Sequence, residues 1–542
     1  MNVPTPEQPP AIPQSNTRLA NPLDTHPAAR DSYGKSLGFG AFSFASSALL
    51  SLVASVVIAR LYGITVVGEY ALAGAPAAAV WLLSTVREQP ALMRALTALQ
   101  PRDARITGLF AAVLTFSTLL TAVVSVLAGL LTWVLFNGPI NHPRLVLPAA
   151  VMLAGSLLFV NTCWNLDTVL GAFRAGRALF WCRFHQALVY LLAAIALSSA
   201  LPTIWGLIIA WYGSWATSLI QRLSASTSFM RLRVSTAELR HGFTTLPELL
   251  RFGIKLAPGF LAEGASDESG AWILGSLSSV QTVGAYSRAW MIARRGLELN
   301  YRITELLFPT LVERRQAGDP AGFDRALVDS LRYAAVAMLL PAAAAAGAAT
   351  PIMSVYGAGF AHGADAFAYL VFVPGVMTLS ALQSHALFAD ERALLSSLYG
   401  LLRVLVTLLA AVPLTLLYGV SGMGAGMLIG ACAQLAPLAA GLPRVLDGAS
   451  ALRELWRTRE LLALTLAGAT GFGVSRLLAL ALTRIPALVL APALGLAAAA
   501  VVFVLVGGIE PRDRARGRAL ARTLSARLTL ASGRLRRSSG TL

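Results

Sequence analysis

Charged side chains recur at helical spacing inside two consecutive apolar segments of the chain. Over residues 252–276, Lys255, Glu263 and Asp267 share one helix face, with Glu268 beside them. Over residues 283–309, the charges that share a face are Arg288, Arg295, Glu298 and Arg302, and Arg294 lies just beside it. Because each such charge costs about 2.5–3.5 kcal/mol in a bilayer, both faces are expected to point into a protein or water-filled interior.

Arginine-rich faces of this kind suit the binding of a phosphorylated substrate. The planar guanidinium matches phosphate oxygens, so we expect the nine residues above to line a cationic cavity for a diphosphate-bearing substrate. The alternative is mutual neutralisation, either between Glu298 and Arg302 or between the acidic residues Glu263 and Asp267 and arginines of other helices. Glu69 and Arg87, at opposite ends of the second apolar segment, are candidate gate residues; ordinary interfacial and loop charges are the alternative for these two.

The composition is that of a polytopic membrane protein. Of 542 residues, 56% are hydrophobic and 13% are charged, whereas soluble domains carry about 25% charged residues. The net charge of +17 comes almost entirely from arginine, because Lys35 and Lys255 are the only lysines. Such a basic excess indicates cytoplasmic loops near anionic lipids. No nucleic-acid partner is expected, because no pattern of stacking aromatic residues accompanies the charge.

About fourteen segments are apolar over roughly 20 residues, the length that crosses a bilayer. The arginines between them alternate in density from one connection to the next. One set of connections, named here the arginine-rich end, includes Arg87, Arg105, Arg174, Arg231, Arg314 and Arg444. The other set, named the arginine-poor end, holds only Arg60, Arg144 and Arg484. The positive-inside rule then predicts a multi-pass protein of the cytoplasmic (inner) membrane with both termini in the cytoplasm.

A fixed offset between similar sequences indicates an internal repeat. Val67-Gly68-Glu69-Tyr70 and Val283-Gly284-Ala285-Tyr286 each lie in a turn between apolar segments, at an offset of 284 − 68 = 216 residues. Gly206 and Gly422 follow the same offset, 422 − 206 = 216. Two copies of a membrane lobe around a cavity are typical of secondary transporters. The predicted fold class is an all-α polytopic membrane protein, with two six-helix lobes related by pseudo-two-fold symmetry and a C-terminal helix pair.

The lobes and tails predict six divisions of the chain. These are a polar, proline-rich cytoplasmic tail (1–36), an N-lobe (37–222), a cytoplasmic linker (223–246), a C-lobe (247–446), a final helix pair (447–508) and a basic cytoplasmic tail (509–542). Leucines and arginines interleave in the last tail, which favours binding to anionic membrane lipids. No nucleotide-binding loop, metal motif or hydrolase elbow is present in the sequence, so we expect no catalytic residue, no metal and no cofactor.

Several strings resemble the polysaccharide flippases, which export O-antigen and exopolysaccharide. The longest is RFGIKLAPGFLAEGASDESGAWILGSLSSVQTVGAYSRAW at residues 251–290, supported by ARLYGITVVGEYALA at residues 59–73 and YGVSGMGAGM at residues 418–427. This family belongs to the multidrug/oligosaccharidyl-lipid/polysaccharide exporter superfamily. Two positions depart from the family: its members often carry an aspartate near the position of Gly270, and an apolar residue or proline is common at the position of Lys255. The resemblance implies fourteen helices, with helices one, two, seven and eight around the cavity.

The resemblance also implies a function, which is the translocation of a polyprenyl-diphosphate-linked oligosaccharide for cell-surface polysaccharide biosynthesis. The expected partners are that lipid-linked saccharide and the glycosyltransferases or polymerase of the same pathway. The alternatives are a peptidoglycan lipid-precursor flippase, a drug/cation antiporter, a membrane glycosyltransferase or polysaccharide polymerase, and a non-transporting scaffold. A cationic cavity disfavours cationic drugs, and the short connections at the arginine-poor end disfavour the enzymes, which usually carry a long catalytic loop there. The prediction is that the protein is not an enzyme.

Overall fold

The chain folds into a bundle of membrane-spanning helices. A computed structural model describes residues 33–231, 233–254, 257–389, 392–446, 458–509 and 513, and all regular secondary structure in these ranges is helical. Ten helical segments of this part are long and apolar enough to cross a membrane. The fold class predicted from the sequence is therefore confirmed, whereas the count of fourteen spans stays a prediction.

The N-lobe is built from seven helices. They are α1 (Tyr33–Leu83), α2 (Glu88–Thr97), α3 (Ala104–Asn137), α4 (Val146–Gly155), α5 (Asn161–Ala172), α6 (Gly176–Ala200) and α7 (Ile204–Ser226). Gly63 divides α1 into two arms, because its φ of 75° is open to glycine and interrupts the helix. A π-helical turn, Ser156–Val160, joins α4 to α5. Together α4 and α5 belong to one apolar segment, Pro143–Ala172, that is long enough to cross a membrane, whereas α2 has ten residues.

A linking helix, the C-lobe and a final pair follow. The linking helix is α8 (Thr236–Ile254), and the C-lobe comprises α9 (Ala257–Leu277), α10 (Val280–Ala293), α11 (Arg295–Gln316), α12 (Pro320–Gly347), α13 (Ala349–Ser354), α14 (Ala364–Leu370), α15 (Val373–Ala389), α16 (Ala393–Tyr418) and α17 (Val420–Gly441). The final pair is α18 (Thr458–Ala481) and α19 (Arg484–Leu505). Packing repeats between the lobes, since α6 contacts α1 and α7 as α16 contacts α9 and α17.

The two lobes contact each other through residues that the internal repeat relates. Gly68 lies against the backbone carbonyl of Val280, and Gly284 lies against the backbone carbonyl of Ile64. Val280 is the counterpart of Ile64, since 280 − 64 = 216. The repeat therefore relates the contact of Gly68 with Val280 to the contact of Gly284 with Ile64. Two such equivalent contacts are what a two-fold axis between the lobes produces. The two-lobe repeat predicted from the sequence is therefore confirmed, and the two glycines allow the close approach of backbones.

Polar contacts continue this lobe interface at the arginine-poor end. The Nε2 amide of Gln281 donates a hydrogen bond to the Oγ1 of Thr65 over 3.4 Å, and these residues are again 216 positions apart. Nearer the middle of the bundle, the Ser55 hydroxyl donates to the Tyr356 hydroxyl over 3.0 Å. Together the contacts hold the lobes closed against each other at the arginine-poor end.

The structure interrupts one segment that the sequence predicts as a single helix. Of the segment over residues 252–276, the structure describes the end of α8 at Ile254 and all of α9 from Ala257, and residues 255–256 lie outside the described part. The segment over residues 283–309 is divided between α10 and α11, with Arg294 at the junction. Part of the predicted linker over residues 223–246 belongs to α8, whose Gly242 lies against the Gly108 carbonyl of α3. The apolar periodicity identified the segment over residues 283–309 but not its interruption at Arg294.

An ion-pair cluster joins the final helix pair to the C-lobe. The side chain of Arg332 on α12 is 9% exposed, and its Nε contacts Glu460 of α18 at 2.7 Å. The same guanidinium contacts Asp513 at 3.5 Å, and the hydroxyl of Tyr333 donates to Asp513 over 2.6 Å. The beginning of the C-terminal tail is therefore fixed beside α12.

Candidate functional site

A cavity of about 470 Å³ lies between the N-lobe and α10. We name it the central cavity. It receives side chains from both arms of α1, from α6 and α7, and from α10 of the other lobe. Its lining is formed by Ser51, Ala54, Ser55, Ile58, Tyr70, Arg183, Gln186, Ala187, Tyr190, Trp211, Ser214, Trp215, Arg288 and Met291. The cavity thus spans the boundary between the lobes.

Arg288 is the C-lobe charge that enters the central cavity. Its Nη1 lies 3.6 Å from the sulfur of Met291, and its buried Nε has no hydrogen-bond partner among the described residues. The phenols of Tyr70, Tyr190 and Tyr356 lie close to the guanidinium. No aspartate or glutamate is among the described residues that line the cavity. A buried guanidinium without a carboxylate is costly unless an anion binds it.

A second arginine of the cavity belongs to an ion cluster inside the N-lobe. The Nη2 of Arg183 lies 3.6 Å from Asp167, and this guanidinium is half exposed. Asp167 also accepts two hydrogen bonds from Arg222, over 2.6 Å from Nε and 3.2 Å from Nη2. The Arg222 side chain is only 4% exposed. One carboxylate therefore balances one of the two arginines, and a positive charge remains on the cavity side.

Two tryptophans of α7 form an aromatic wall of the cavity. The rings of Trp211 and Trp215 are 6.1 Å apart in an edge-to-face arrangement. The indole of Trp211 occupies the space next to Gly155, where any side chain would collide with it. The hydroxyl of neighbouring Tyr212 donates to the carbonyl of Val151 over 2.6 Å, which ties α7 to α4. The wall is therefore held by packing on the helix that precedes the π-helical turn.

Asp267 and Glu268, two acidic residues predicted to line the cavity, lie outside the central cavity that Arg288 enters. Asp267 accepts a 2.8 Å hydrogen bond from the Nη2 of Arg403, whose side chain is 3% exposed. This is the ion pairing across helices that was the alternative to substrate binding, and the sequence analysis did not identify Arg403 as the partner. Glu268 is half-buried and interacts with Arg294. Neither Asp267 nor Glu268 is among the residues that line the central cavity.

The remaining arginines of the predicted face lie at the break between α10 and α11. Arg294 occupies the junction and is exposed, and Arg295 begins α11 and is half-buried. Arg295 is close to Tyr356, the residue that bonds Ser55. Lys255 lies outside the described residues, and only the backbone is described at Glu263, Glu298 and Arg302. Substrate binding by these six residues stays a prediction.

Of the two candidate gate residues, Glu69 lies near the start of the second arm of α1 and Arg87 lies beyond its end, before α2. Glu69 forms a 2.6 Å ion pair with Arg144, one of the few arginines of the arginine-poor end. Arg87 has a left-handed φ of 61°, and its backbone N–H donates to the Thr85 hydroxyl over 3.0 Å at the start of α2. Glu69 thus joins α1 to the connection between α3 and α4. A gating role for either residue stays a prediction.

Half of the cavity lining comes from α6 and α7, and none of these residues was predicted from the sequence. Arg183, Gln186 and Tyr190 recur at spacings of three and four on one face of α6, a signal that could have identified them. Trp211 and Trp215 recur at a spacing of four on α7 in the same way. Neither pattern differs from ordinary apolar packing until the tertiary structure places the two faces together.

Comparison with solved structures defines the class of fold. The structure is similar to that titled "Lipid II flippase MurJ, inward closed conformation", with a TM-score of 0.66, 12% identity, and coverage of 88% of this chain and 99% of that chain. It is also similar to an inward-facing multidrug resistance MATE family transporter of the MOP superfamily, with a TM-score of 0.53, 15% identity, and coverage of 76% and 95%. A MOP superfamily transporter from Pyrococcus furiosus matches with a TM-score of 0.52, 14% identity, and coverage of 78% and 98%.

These neighbours share the two-lobe fold of this chain, and the ten apolar helices of its described part are those of a multi-pass membrane protein. A search of curated proteins finds no sequence match. The sequence pattern of the family described as "Polysaccharide biosynthesis protein" matches residues 57–361, which is more than half of the chain. The chain therefore belongs to that family of polysaccharide biosynthesis proteins. Its membership confirms the resemblance read from the sequence.

Proposed function

We propose that the protein is a flippase that moves a polyprenyl-diphosphate-linked oligosaccharide across the cytoplasmic membrane by alternating access. The observation that carries this proposal is Arg288, whose buried Nε is unpaired among the described residues and faces a cavity without an acidic lining residue. Membership of the polysaccharide biosynthesis family supports the same proposal.

The chemistry of the central cavity matches two parts of such a substrate. Arg288 and Arg183 supply positive charge where a diphosphate carries negative charge, and guanidinium groups bind phosphate oxygens through paired hydrogen bonds. Tyr70, Tyr190 and the tryptophan wall supply hydroxyl donors and flat apolar surface for a saccharide. A cationic drug would meet repulsion in the same space, which disfavours a drug exporter.

The arrangement of the lobes supports alternating access. The lobes are joined at the arginine-poor end through Gly68 and Gly284, and the central cavity lies on the boundary between them. Rotation of one lobe against the other would separate the glycine contact and expose the cavity to the arginine-poor end. With the arginine-rich end in the cytoplasm, as the positive-inside rule predicts, this motion would carry a substrate outward.

The proposal is tested by substrate binding to purified Arg288 variants. Arg288→Gln removes charge-assisted hydrogen bonds worth about 1.5–3 kcal/mol, so affinity for a polyprenyl diphosphate should fall about 10- to 150-fold. Arg288→Lys keeps the positive charge, so its affinity for the polyprenyl diphosphate should fall less than that of Arg288→Gln. Arg105→Gln is the matched control, because that guanidinium is exposed and pairs with Asp103 in the connection before α3. Unchanged affinity in Arg288→Gln would overturn the proposal.

A peptidoglycan lipid-precursor flippase would use the same diphosphate chemistry, and the similarity to the MurJ structure keeps it as the second candidate. Competition between two purified lipids distinguishes the candidates. An oligosaccharide-linked lipid should displace the bound polyprenyl diphosphate at lower concentration than a peptidoglycan precursor does. The reverse order would favour the second candidate. A polysaccharide polymerase would instead transfer the glycan of one lipid-linked oligosaccharide to a hydroxyl of a second one and release free polyprenyl diphosphate, which mass spectrometry of the recovered lipid detects.

A further inference from the structure

The internal repeat assigns to each position of the N-lobe a counterpart in the C-lobe. The offset of 216 residues relates the lobe contacts at Gly68 and Gly284, and it also relates the first residues of two helices, because α7 begins at Ile204 and α17 at Val420. The counterparts of the residues that line the central cavity can therefore be read directly from the chain. They show what occupies the equivalent place in the C-lobe.

An ion pair occupies that place. Ser51 of α1 and Ala187 of α6 both line the central cavity. Their counterparts are Asp267 of α9 and Arg403 of α16, since 51 + 216 = 267 and 187 + 216 = 403. These two side chains are in contact at 2.8 Å, and the Arg403 side chain is 3% exposed. Ser51 and Ala187 have small side chains and leave space in the N-lobe. Asp267 and Arg403 have larger, charged side chains that fill the equivalent space in the C-lobe.

Further counterparts are buried in the C-lobe. Ile58, which contributes to the cavity wall and is itself only 2% exposed, corresponds to the fully buried Leu274. Trp215 corresponds to Ala431, which is 1% exposed. Gly430, the counterpart of Ser214, lies against the hydroxyl of Thr407. Met427, the counterpart of Trp211, is also 1% exposed. The place of the aromatic wall is therefore filled in the C-lobe, where Gly430 and Ala431 let α16 and α17 approach each other closely.

We propose that the Asp267–Arg403 pair closes the C-lobe counterpart of the central cavity and fixes α9 to α16. The pair satisfies two charges that neither helix could bury alone. The substrate cavity is then formed on the N-lobe side. The N-lobe half of the repeat binds substrate, and the C-lobe half is closed by the ion pair. Asp267 and Arg403 are positioning residues in this proposal, because they act through the helices that they join. The proposal is independent of which lipid is transported.

The first test replaces the pair by the residues of the N-lobe. Asp267→Ser combined with Arg403→Ala reproduces Ser51 and Ala187 and leaves no unpaired charge. In a background with Cys163, Cys182 and Cys432 replaced by alanine, Leu274→Cys reports water access with a small hydrophilic thiol reagent. We expect its labelling rate to rise at least tenfold in the double variant, while Ala187→Cys, at a half-buried position of the central cavity, keeps its rate. Unchanged protection of Leu274→Cys in the folded double variant would overturn the proposal.

A charge reversal gives an independent readout. Asp267→Arg or Arg403→Asp alone places like charges together and should lower the unfolding temperature and the membrane level. The combined reversal restores the pair, so it should recover most of the lost stability and keep Leu274→Cys protected. If the combined reversal is as unstable as the single variants, the pairing is not what fixes α9 to α16. This comparison decides the proposal even where the neutral double variant fails to fold.

Discussion

Gly284→Ala should weaken the closure of the lobes at the arginine-poor end. A Cβ atom at this position would lie 2.5 Å from the backbone carbonyl oxygen of Ile64, whereas ordinary contacts begin at 3.4 Å. The two backbones must therefore separate by about 0.9 Å, since 3.4 − 2.5 = 0.9. Because a backbone carbonyl cannot rotate away as a side chain does, we expect an overpacking cost of about 1–3 kcal/mol. That cost shifts the equilibrium between closed and separated lobes by about 5- to 150-fold.

Cysteine crosslinking measures this shift. Thr65 and Gln281 are in contact across the lobe interface at 3.4 Å, so Thr65→Cys and Gln281→Cys should be joined by oxidation or by a short bismaleimide when the lobes are closed. Gly284→Ala should lower the initial rate of crosslinking. Gly473→Ala is the control, because a Cβ atom there meets no other atom within 4 Å and the position is far from the interface. Crosslinking of Gly284→Ala at the parent rate would refute the reasoning.

Three further predictions concern packing around the cavity and the final helices. Arg222→Met removes the buried partner of Asp167 and should lower the free energy of unfolding by about 3–5 kcal/mol. The double variant Arg222→Met, Asp167→Asn should recover most of this loss. Thermal unfolding in detergent measures both variants, and a double variant no more stable than Arg222→Met would contradict the pairing. Gly155→Ala should displace the indole packed on it, costing about 1–3 kcal/mol and weakening binding of a polyprenyl diphosphate measured by titration. Arg332→Gln removes the contact with Glu460, so limited proteolysis should release the final helix pair faster than in the parent protein.

The repeat and the class of fold could be predicted from the sequence because both depend on local patterns. The offset between the two Val-Gly-x-Tyr strings already related the residues that meet at the lobe interface. Charge periodicity placed Arg288 on an inward face, since a charge cannot face lipid without cost. A helical pattern specifies a face, however, and not the residue that the face meets.

Residues far apart in the chain account for what sequence reasoning missed. Asp267 and Arg403 are separated by 136 positions, and no periodicity links α9 to α16. The break between α10 and α11 at Arg294 could not be predicted from the sequence either, because the charged pattern continues through it without a proline or glycine at that position. The tryptophans of α7 resemble ordinary membrane packing in sequence, and only the fold brings them opposite α1.

The division of the central cavity between the lobes has a kinetic consequence. Arg288 is carried by α10, whereas Tyr70, Tyr190 and the tryptophans belong to the other lobe. A rigid rotation that separates the lobes would withdraw the guanidinium from the aromatic groups without any change of rotamer. Ligand affinity would then differ between the two orientations as a matter of geometry, so release on the far side would require no dedicated trigger.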